Sequence, residues 1–522
     1  MAELFLLSKL PVVRKEGYIM AAQIIIICLY AAMLIAVAIF ARRKTKTTDD
    51  FFLGGRKVGG WMTAFAYGTT YFSAVIFVGY AGKFGWNLGV SVTWVGIANA
   101  LIGTFLVWKL LAKPTRRITH RLDASTMPDF FFKRYNSKSL KITAALIIFV
   151  FLVPYCASVY QGLGYFFESV FHLPYAWCMV GMAALTATYL LSGGYVATAL
   201  TDFIQGIIMI VGVLLMVMFV VGNEAVGGIS AGLSKIAEID VSLASPFGSA
   251  ENAIMLISLV LLTSLGTWGL PQMVHKFYAI KDNKAIKRGT VISTLFALVV
   301  GGAAYFVGTF GRLYLAEAPE NMDYVMPQVM NAALPAVMLG LILVLLLAAS
   351  MSTLSSLVLV SSSSISMDLV KSARPKMKDK SLMTLMRVLC GVFVIISLVI
   401  ALLQPAAIVT LMSYSWGALS GCFLAPFMLG VRWKGMTKAG AWAGVITGLV
   451  VVVPLMIIGS VSTVLPKWLS APAIGSIAMV LSLIVTPIVS KMTKKFDEAH
   501  IERVFGQAEP VIDSNAEVVP AE

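Results

Sequence analysis

The feature that most constrains this chain is its series of apolar runs, each about 20 residues or more in length. A run of that length forms a helix that can cross roughly 30 Å of hydrocarbon. Hydrophobic residues make up 59% of the 522 residues and charged residues only 12%. A soluble protein of this length lacks the interior to bury so much apolar surface. The sequence therefore predicts an all-α integral membrane protein.

We expect about 13 transmembrane helices in this chain. The predicted spans are 18–41, 57–82, 89–111, 142–166, 174–191, 196–221, 253–274, 291–310, 337–367, 385–403, 407–429, 441–458 and 472–490. The membrane domain then covers residues 18–491. An N-terminal extension at 1–17 precedes it, and a polar tail at 492–522 follows it, which we expect to be poorly ordered after residue 496.

The net charge of +15 comes mostly from Lys and Arg in the short connections between the runs. That placement is typical of the positive-inside bias, which orients membrane proteins, rather than of nucleic-acid binding. The basic connections are 42–46, 116–121, 281–288, 371–380, 432–438 and 491–495, and longer acid-rich segments lie around 224–240 and 317–323. We therefore expect the N-terminus outside and the C-terminus in the cytoplasm. Lys9, Arg14 and Lys15 would prefer the cytoplasm, so either they are tolerated or the natural chain begins at Met20.

Two predicted spans are interrupted by glycine, proline and polar residues. Span 57–82 contains Gly68 and Ser73, and the segment that begins at 253 contains Gly266, Gly269 and Pro271. They are five spans apart, so they have opposite orientations. Such a pair of broken helices in two halves is typical of inverted-repeat transporters that bind solute at the breaks. The alternative is that these small residues allow helices to pack closely.

The ninth span carries an unusual density of hydroxyl groups. They belong to Ser350, Ser352, Thr353, Ser355 and Ser356, followed by four serines at 361–364. Hydroxyl oxygens at this density can replace the water around a hard cation. The alternative is that they bond to carbonyl groups of their own helix and allow close packing.

Asp202 lies near the start of the sixth span. A carboxylate at membrane depth costs at least about 2.5–3.5 kcal/mol, which makes such a residue a functional candidate. No Lys or Arg in the apolar runs is an obvious partner, so a bound monovalent cation is expected to neutralise it. The alternatives are a proton relay, or a helix cap at the cytoplasmic end of the span.

Several short motifs carry a resemblance to a known family. They are DFFLGGR (50–56), TMPDF (126–130), YCAS (155–158), SGGY (192–195), TDFIQ (201–205), MSTLS (351–355) and SYSWG (413–417). Together they resemble the sodium:solute symporter family over about 49–438. The chain is most similar to the bacterial sodium/proline and sodium/pantothenate symporter branches. GLPQ (269–272) with KDNKA (281–285) resembles the pantothenate carriers.

The resemblance implies a five-plus-five inverted-repeat (LeuT-like) core, with repeats at about 57–222 and 253–431, that works by alternating access. It implies a sodium site formed by the carbonyl groups of Thr69, Phe72 and Ala349 and the hydroxyl groups of Ser352 and Thr353. Some members have a second sodium site, whose pattern here is Asp202, Ser352, Ser355 and Ser356. The solute is expected beside these sites, near Tyr71, Ser73, Ala74, Tyr155, Thr267, Trp268 and Pro271.

The chain also departs from the proline carriers. Their pattern has an aspartate at Tyr71, a tyrosine at Thr267 and a tryptophan at Thr263, which disfavours proline as the solute. We expect a symporter in the bacterial plasma membrane that co-transports sodium with a small organic solute. The solute is expected to bear a carboxylate, because helix N-termini at the breaks favour anions.

Two other functions remain as alternatives. The first is a proton-coupled transporter that uses Asp202. The second is a membrane-embedded enzyme or sensor. An enzyme requires paired carboxylates, a histidine cluster or a nucleophile with its base. The sequence presents none of these patterns and has no attached sensory domain, so we expect no enzymatic activity.

Overall fold

The computed structural model describes residues 12–42, 48–462 and 464–506, and within them the chain is helical. Its α-helices are α1 Val12–Arg42, α2 Thr48–Leu53, α3 Gly60–Tyr71, α4 Ala81–Leu88, α5 Thr93–Ala100, α6 Lys113–Arg121, α7 Met127–Tyr135, α8 Lys138–Phe171, α9 Tyr175–Gly222, α10 Ile229–Ile239, α11 Val241–Ala244, α12 Ala253–Ser264, α13 Pro271–Ala279, α14 Asn283–Gly308, α15 Val325–Ala333, α16 Ala336–Ser363, α17 Asp379–Leu403, α18 Ile408–Arg432, α19 Lys438–Val461, α20 Ala471–Met492 and α21 Glu498–Phe505. Some of these helices continue into π-helical segments, at Val75–Tyr80, Leu101–Leu106, Trp108–Ala112 and Ser364–Lys371.

Eleven helices in this part of the chain are long and apolar enough to cross a membrane. The all-helical membrane fold is therefore confirmed, and the count differs from the 13 predicted spans for two local reasons. The second predicted span is split, so that α3 has only 12 residues and the rest runs on into the stretch Val75–Arg121. The fifth corresponds to Tyr175–Thr188, a shorter apolar helix within α9.

The first break lies between α3 and the π-helix Val75–Tyr80, where the sequence predicts it. The last helical bond of α3 runs from the Phe72 amide to the Gly68 carbonyl, at 3.1 Å. Phe72 itself is extended, with φ −104° and ψ 108°, so the chain leaves the helix there. Gly68 allows close packing, because a Cβ at this position would lie 2.3 Å from the ring of Phe296 on α14.

The second break lies between α12 and α13, and it is also confirmed. A single 3-10 turn, Leu265–Trp268, follows α12, and Leu270 is extended with ψ 122°. Pro271 then begins α13, a position where its missing N–H leaves no hydrogen bond unmade. Gly269 brings the break against α18, because a Cβ there would lie 2.6 Å from the Leu424 nitrogen.

The two broken helices are tied together at one end by backbone hydrogen bonds. Val58, just before α3, pairs with Ile280, just after α13, in an isolated parallel bridge. The Val58 amide donates to the Ala279 carbonyl at 3.1 Å, and the Lys281 amide donates to the Val58 carbonyl at 3.0 Å. The repeats therefore meet both at their breaks and at this end.

The expectation of a poorly ordered tail is wrong for residues 498–505, which form α21. Asp497 caps this helix by accepting a hydrogen bond from the His500 amide at 2.8 Å, and Val504 is buried. Arg121 donates to the carbonyl group of Arg503 at 2.8 Å. Polar composition alone misses this helix because the contacts that hold it, such as the one with Arg121, come from a distant part of the chain. Residues 1–11 of the predicted N-terminal extension and 507–522 of the tail lie outside the described residues.

Candidate functional site

The first break and α16 share a compact cluster of oxygen atoms. The Ser352 hydroxyl donates to the Thr69 carbonyl at 2.9 Å and to the Ala349 carbonyl at 3.0 Å. The Thr353 hydroxyl donates to the same two carbonyls at 3.2 and 3.1 Å. Four of the five predicted sodium ligands therefore converge, and all four residues are fully buried. Carbonyl and hydroxyl oxygens in this arrangement can replace the hydration shell of a small cation.

Phe72, the fifth predicted ligand, sits where α3 ends. Its extended backbone turns its carbonyl group out of the helical pattern of bonds. The structure shows no hydrogen bond between this carbonyl and Ser352 or Thr353, among the residues it describes. Its ring stacks on Tyr71, with centroids 4.5 Å apart. Phe72 therefore lies beside the oxygen cluster, because Thr69 of the same helix end supplies a carbonyl to the cluster and Tyr71 stacks on the Phe72 ring.

Asp202 has a basic partner, contrary to the sequence-based expectation. It is fully buried within α9, far from either end of that helix, so it does not cap it. The Lys276 ammonium of α13 lies 3.6 Å from the Asp202 Oδ2 atom, and Lys276 is itself only 1% exposed. The sequence does not predict this pair, because the predicted seventh span ends at residue 274 and leaves Lys276 in the connection that follows. In the structure α13 continues to Ala279.

The remaining members of the predicted second sodium site make different contacts. Ser356 accepts a hydrogen bond from the Lys276 ammonium at 3.0 Å and lies 2.9 Å from the Thr70 hydroxyl. Ser355 donates to the Ser352 carbonyl of its own helix at 2.8 Å. The hydroxyl groups of Ser362, Ser363 and Ser364, at and just after the end of α16, donate to backbone carbonyl groups of α16. For those three, the close-packing interpretation accounts for the observed bonds.

Three aromatic side chains meet beside the first break. The Trp416 ring of α18 lies 6.1 Å from the ring of Tyr71 and 5.7 Å from that of Tyr155, perpendicular to the latter. Tyr71 and Tyr155 belong to the predicted solute site, whereas Trp416 appeared in the sequence only as part of a family motif. The Tyr155 hydroxyl and the Trp416 indole N–H make no hydrogen bond of ordinary geometry with the described residues. Buried polar groups of this kind favour a polar ligand as their partner.

The other predicted solute residues lie around this group. The Tyr71 hydroxyl donates to the Thr263 carbonyl at 2.5 Å, which joins the two breaks directly. Thr267 donates to the Gly103 carbonyl at 3.0 Å, and Trp268 donates to the Ile102 carbonyl at 3.1 Å. Both side chains therefore bond to the π-helix Leu101–Leu106.

Ser73 and Ala74 form the turn of the first break, where the Ala74 amide donates to the Ser350 hydroxyl at 3.3 Å. Pro271 faces elsewhere, because it lines a small cavity that also includes Thr126 and His275. All seven predicted solute residues are buried. The predicted solute residues are therefore shielded from water in this conformation.

Comparison with known protein sequences identifies a family and relatives of this chain. The family model described as "Sodium:solute symporter family" matches residues 51–448. The sodium/proline symporter of Salmonella typhimurium is 32% identical over 450 residues, which is 83% of this chain and 87% of that protein. The osmoregulated proline transporter OpuE of Bacillus subtilis is 31% identical over 94% of this chain and 99% of its own length.

A solved structure shares the fold. It is the substrate-bound, outward-open state of a Na⁺-coupled sialic acid symporter. The TM-score is 0.74 at 18% sequence identity, and the alignment covers 91% of this chain and 99% of that one.

Proposed function

Because the chain belongs to the sodium:solute symporter family and couples solute import to sodium, we propose that sodium binds where the first helix break meets α16. The chain is a membrane transporter and not an enzyme. The observation that carries the proposal is a cluster of four oxygen atoms. The hydroxyl oxygens of Ser352 and Thr353 each lie 2.9–3.2 Å from the carbonyl oxygens of Thr69 and Ala349. The Phe72 carbonyl, at the end of α3 where the backbone is extended, is the fifth ligand in this proposal.

Coupling follows from the origin of these ligands. Thr69 belongs to the broken helix α3, whereas Ser352 and Thr353 belong to α16. Sodium can contact both sets only in conformations that hold the two helices together, so it binds those conformations more tightly. That differential affinity shifts the population toward the state whose solute pocket is complete. In this mechanism sodium binds first and the solute follows.

We propose that the solute is a small organic carboxylate that binds against Tyr71, Tyr155 and Trp416. The bound sodium offsets the charge of the carboxylate in a buried site. The Tyr155 hydroxyl and the Trp416 indole N–H, which have no hydrogen-bond partner among the described residues, are donors for it. Tyr71 brings no negative charge, and its hydroxyl already bonds to Thr263. A solute with a cationic amine therefore gains no ion pair from this residue.

Proline is the second candidate, because relatives named for proline transport are 30–32% identical along most of this chain. Tyr71, Thr267 and Thr263 are the residues that argue against proline, since the proline carriers' pattern has an aspartate, a tyrosine and a tryptophan there. The choice between the two candidate solutes rests on these three positions, so an uptake measurement can decide it.

The test is a competition panel in proteoliposomes with an inward sodium gradient. The panel pairs proline, other small amino acids and monocarboxylates with their amides or methyl esters. We expect one monocarboxylate to be accumulated and its uncharged amide or ester to be ignored. Selective uptake of proline would favour the second candidate. Equal uptake of a carboxylate and its amide, or a preference for sugars, would contradict the proposed solute class.

We further propose that the C-terminus and the basic connections face the cytoplasm. The contacts of the basic connection 116–121 support this. Arg116 donates to the Lys281 carbonyl of the basic connection 281–288, and Arg121 donates to the Arg503 carbonyl of the C-terminal helix α21. A protease site added after residue 522 should be cut only after the inner face is exposed. Cleavage from the outside of intact cells would reverse the orientation.

A further inference from the structure

Lys276 is a fully buried ammonium group at a position where the family pattern expects a cation. Besides Asp202 at 3.6 Å, it contacts the Ser356 hydroxyl, to which it donates at 3.0 Å. It also lies 5.5 Å from the centre of the Tyr195 ring, which faces it. A carboxylate, a hydroxyl oxygen and an aromatic face all favour positive charge. The groups around Lys276 therefore stabilise a positive charge at this position.

The same oxygens would serve a second sodium ion. Asp202 and Ser356 are two of the four residues of the second sodium pattern, and both contact Lys276. A third, Ser352, already donates its hydroxyl group to the first oxygen cluster. One buried carboxylate can neutralise one positive charge, and a second cation beside the ammonium would be repelled at low dielectric. Lys276 and a second sodium ion thus exclude each other.

We propose that Lys276 is a tethered cation that replaces the second sodium ion, so that a single sodium ion crosses with each solute molecule. The proposal rests on the proposed first sodium site. It assigns a specificity-determining role to a residue outside that site, namely the setting of the sodium count. A covalently attached ammonium group does not dissociate during the cycle, so its binding energy cannot be coupled to the sodium gradient.

Lys276 also connects the second broken helix to the first site. Its partner Ser356 lies 2.9 Å from the Thr70 hydroxyl, and the Thr70 carbonyl accepts from the Thr353 hydroxyl at 3.2 Å. The chain of contacts therefore runs from α13 through α16 to α3, with Asp202 adding α9. A sodium ion would make this connection only when bound. Lys276 maintains it at every sodium concentration.

The test counts sodium ions in proteoliposomes by simultaneous flux of ²²Na⁺ and radiolabelled solute. We expect one sodium per solute in the parent and a Hill coefficient for sodium close to one. Lys276→Ala leaves Asp202 without its cation and frees the Ser356 hydroxyl. Sodium should then bind there, so the count should rise toward two and the Hill coefficient above one. Lys276→Arg, which keeps the charge, should retain a count of one.

A double variant, Lys276→Ala with Asp202→Asn, separates the tethered charge from mere packing. Without the carboxylate there is no reason for a second sodium ion to bind, so the count should return to one. A purely structural role for Lys276 would alter yield or thermal stability in these variants and leave the count unchanged. That result in folded Lys276→Ala protein would overturn the proposal.

The parent protein alone is also decisive, in case the variants do not fold. Two sodium ions per solute in the parent would refute the replacement of the second ion, while one would support it. Solute transport without any sodium flux would instead contradict the proposed first site. The two failures are therefore distinguishable.

Discussion

Two hydroxyl groups of α16 are at the centre of the proposed sodium site. In this conformation Ser352 and Thr353 donate their hydrogens to the carbonyl groups of Thr69 and Ala349. A cation among these four oxygens would be met by the hydroxyl lone pairs, with the hydrogens turned away. The internal hydrogen bonds thus keep buried polar atoms satisfied and hold the ligands near their binding geometry.

Replacing one of these hydroxyl groups should weaken sodium binding. We expect Thr353→Ala to raise the sodium concentration for half-maximal uptake at least about tenfold, which corresponds to about 1.4 kcal/mol. The measurement is the sodium dependence of initial uptake rates. Ser363→Ala is the matched control, because it deletes a hydroxyl of the same helix that donates only to the Val360 carbonyl. Similar sodium dependence in both variants would remove Thr353 from the ligand set.

Sequence patterns identify some residues of the site better than others. Ser352 and Thr353 stand out because hydroxyl groups are unusual at that density in an apolar span. Lys276 is missed because nothing in local hydropathy shows that α13 continues past residue 274 into the protein. Its burial depends on Asp202, 74 positions earlier in the chain. The periodicity of hydrophobic residues does not show which charges, so far apart in sequence, meet in the folded protein.

At the scale of elements, the helix breaks are the most predictable feature. Glycine, proline and polar residues interrupt helices for local reasons, and both breaks occur where those residues cluster. The unpredicted part is how closely the breaks pack against their neighbours. The backbone of Gly269 touches that of Leu424 on α18, and a Cβ would lie 2.7 Å from the Leu424 Cα atom.

This close packing leads to a prediction for the second break. Gly269→Ala should push the break away from α18 and destabilise the protein by about 1–3 kcal/mol, as overpacking commonly does. We expect a lower melting temperature and slower uptake. Gly302→Ala on α14 is the control, since a Cβ there meets no atom within 4 Å. An equal melting temperature and rate in the two variants would show that the break tolerates displacement.

At the scale of the whole molecule, two inverted repeats are joined at their breaks by a small number of polar contacts. The Tyr71 hydroxyl bonds to Thr263 across the breaks, and Lys276 connects α13 to α9 and α16. The repeats and their order are what the resemblance to the family implies. The contacts between them arise only in the folded chain, and these contacts decide which conformations sodium stabilises.

Sodium bound at the first break drives solute import in this mechanism. The most direct test is accumulation of the transported carboxylate in proteoliposomes that contain the parent protein. We expect uptake above equilibrium with an inward sodium gradient. We expect no accumulation when potassium replaces sodium or when a proton gradient is the only driving force. Equal accumulation in sodium-free buffer with a proton gradient would contradict this mechanism.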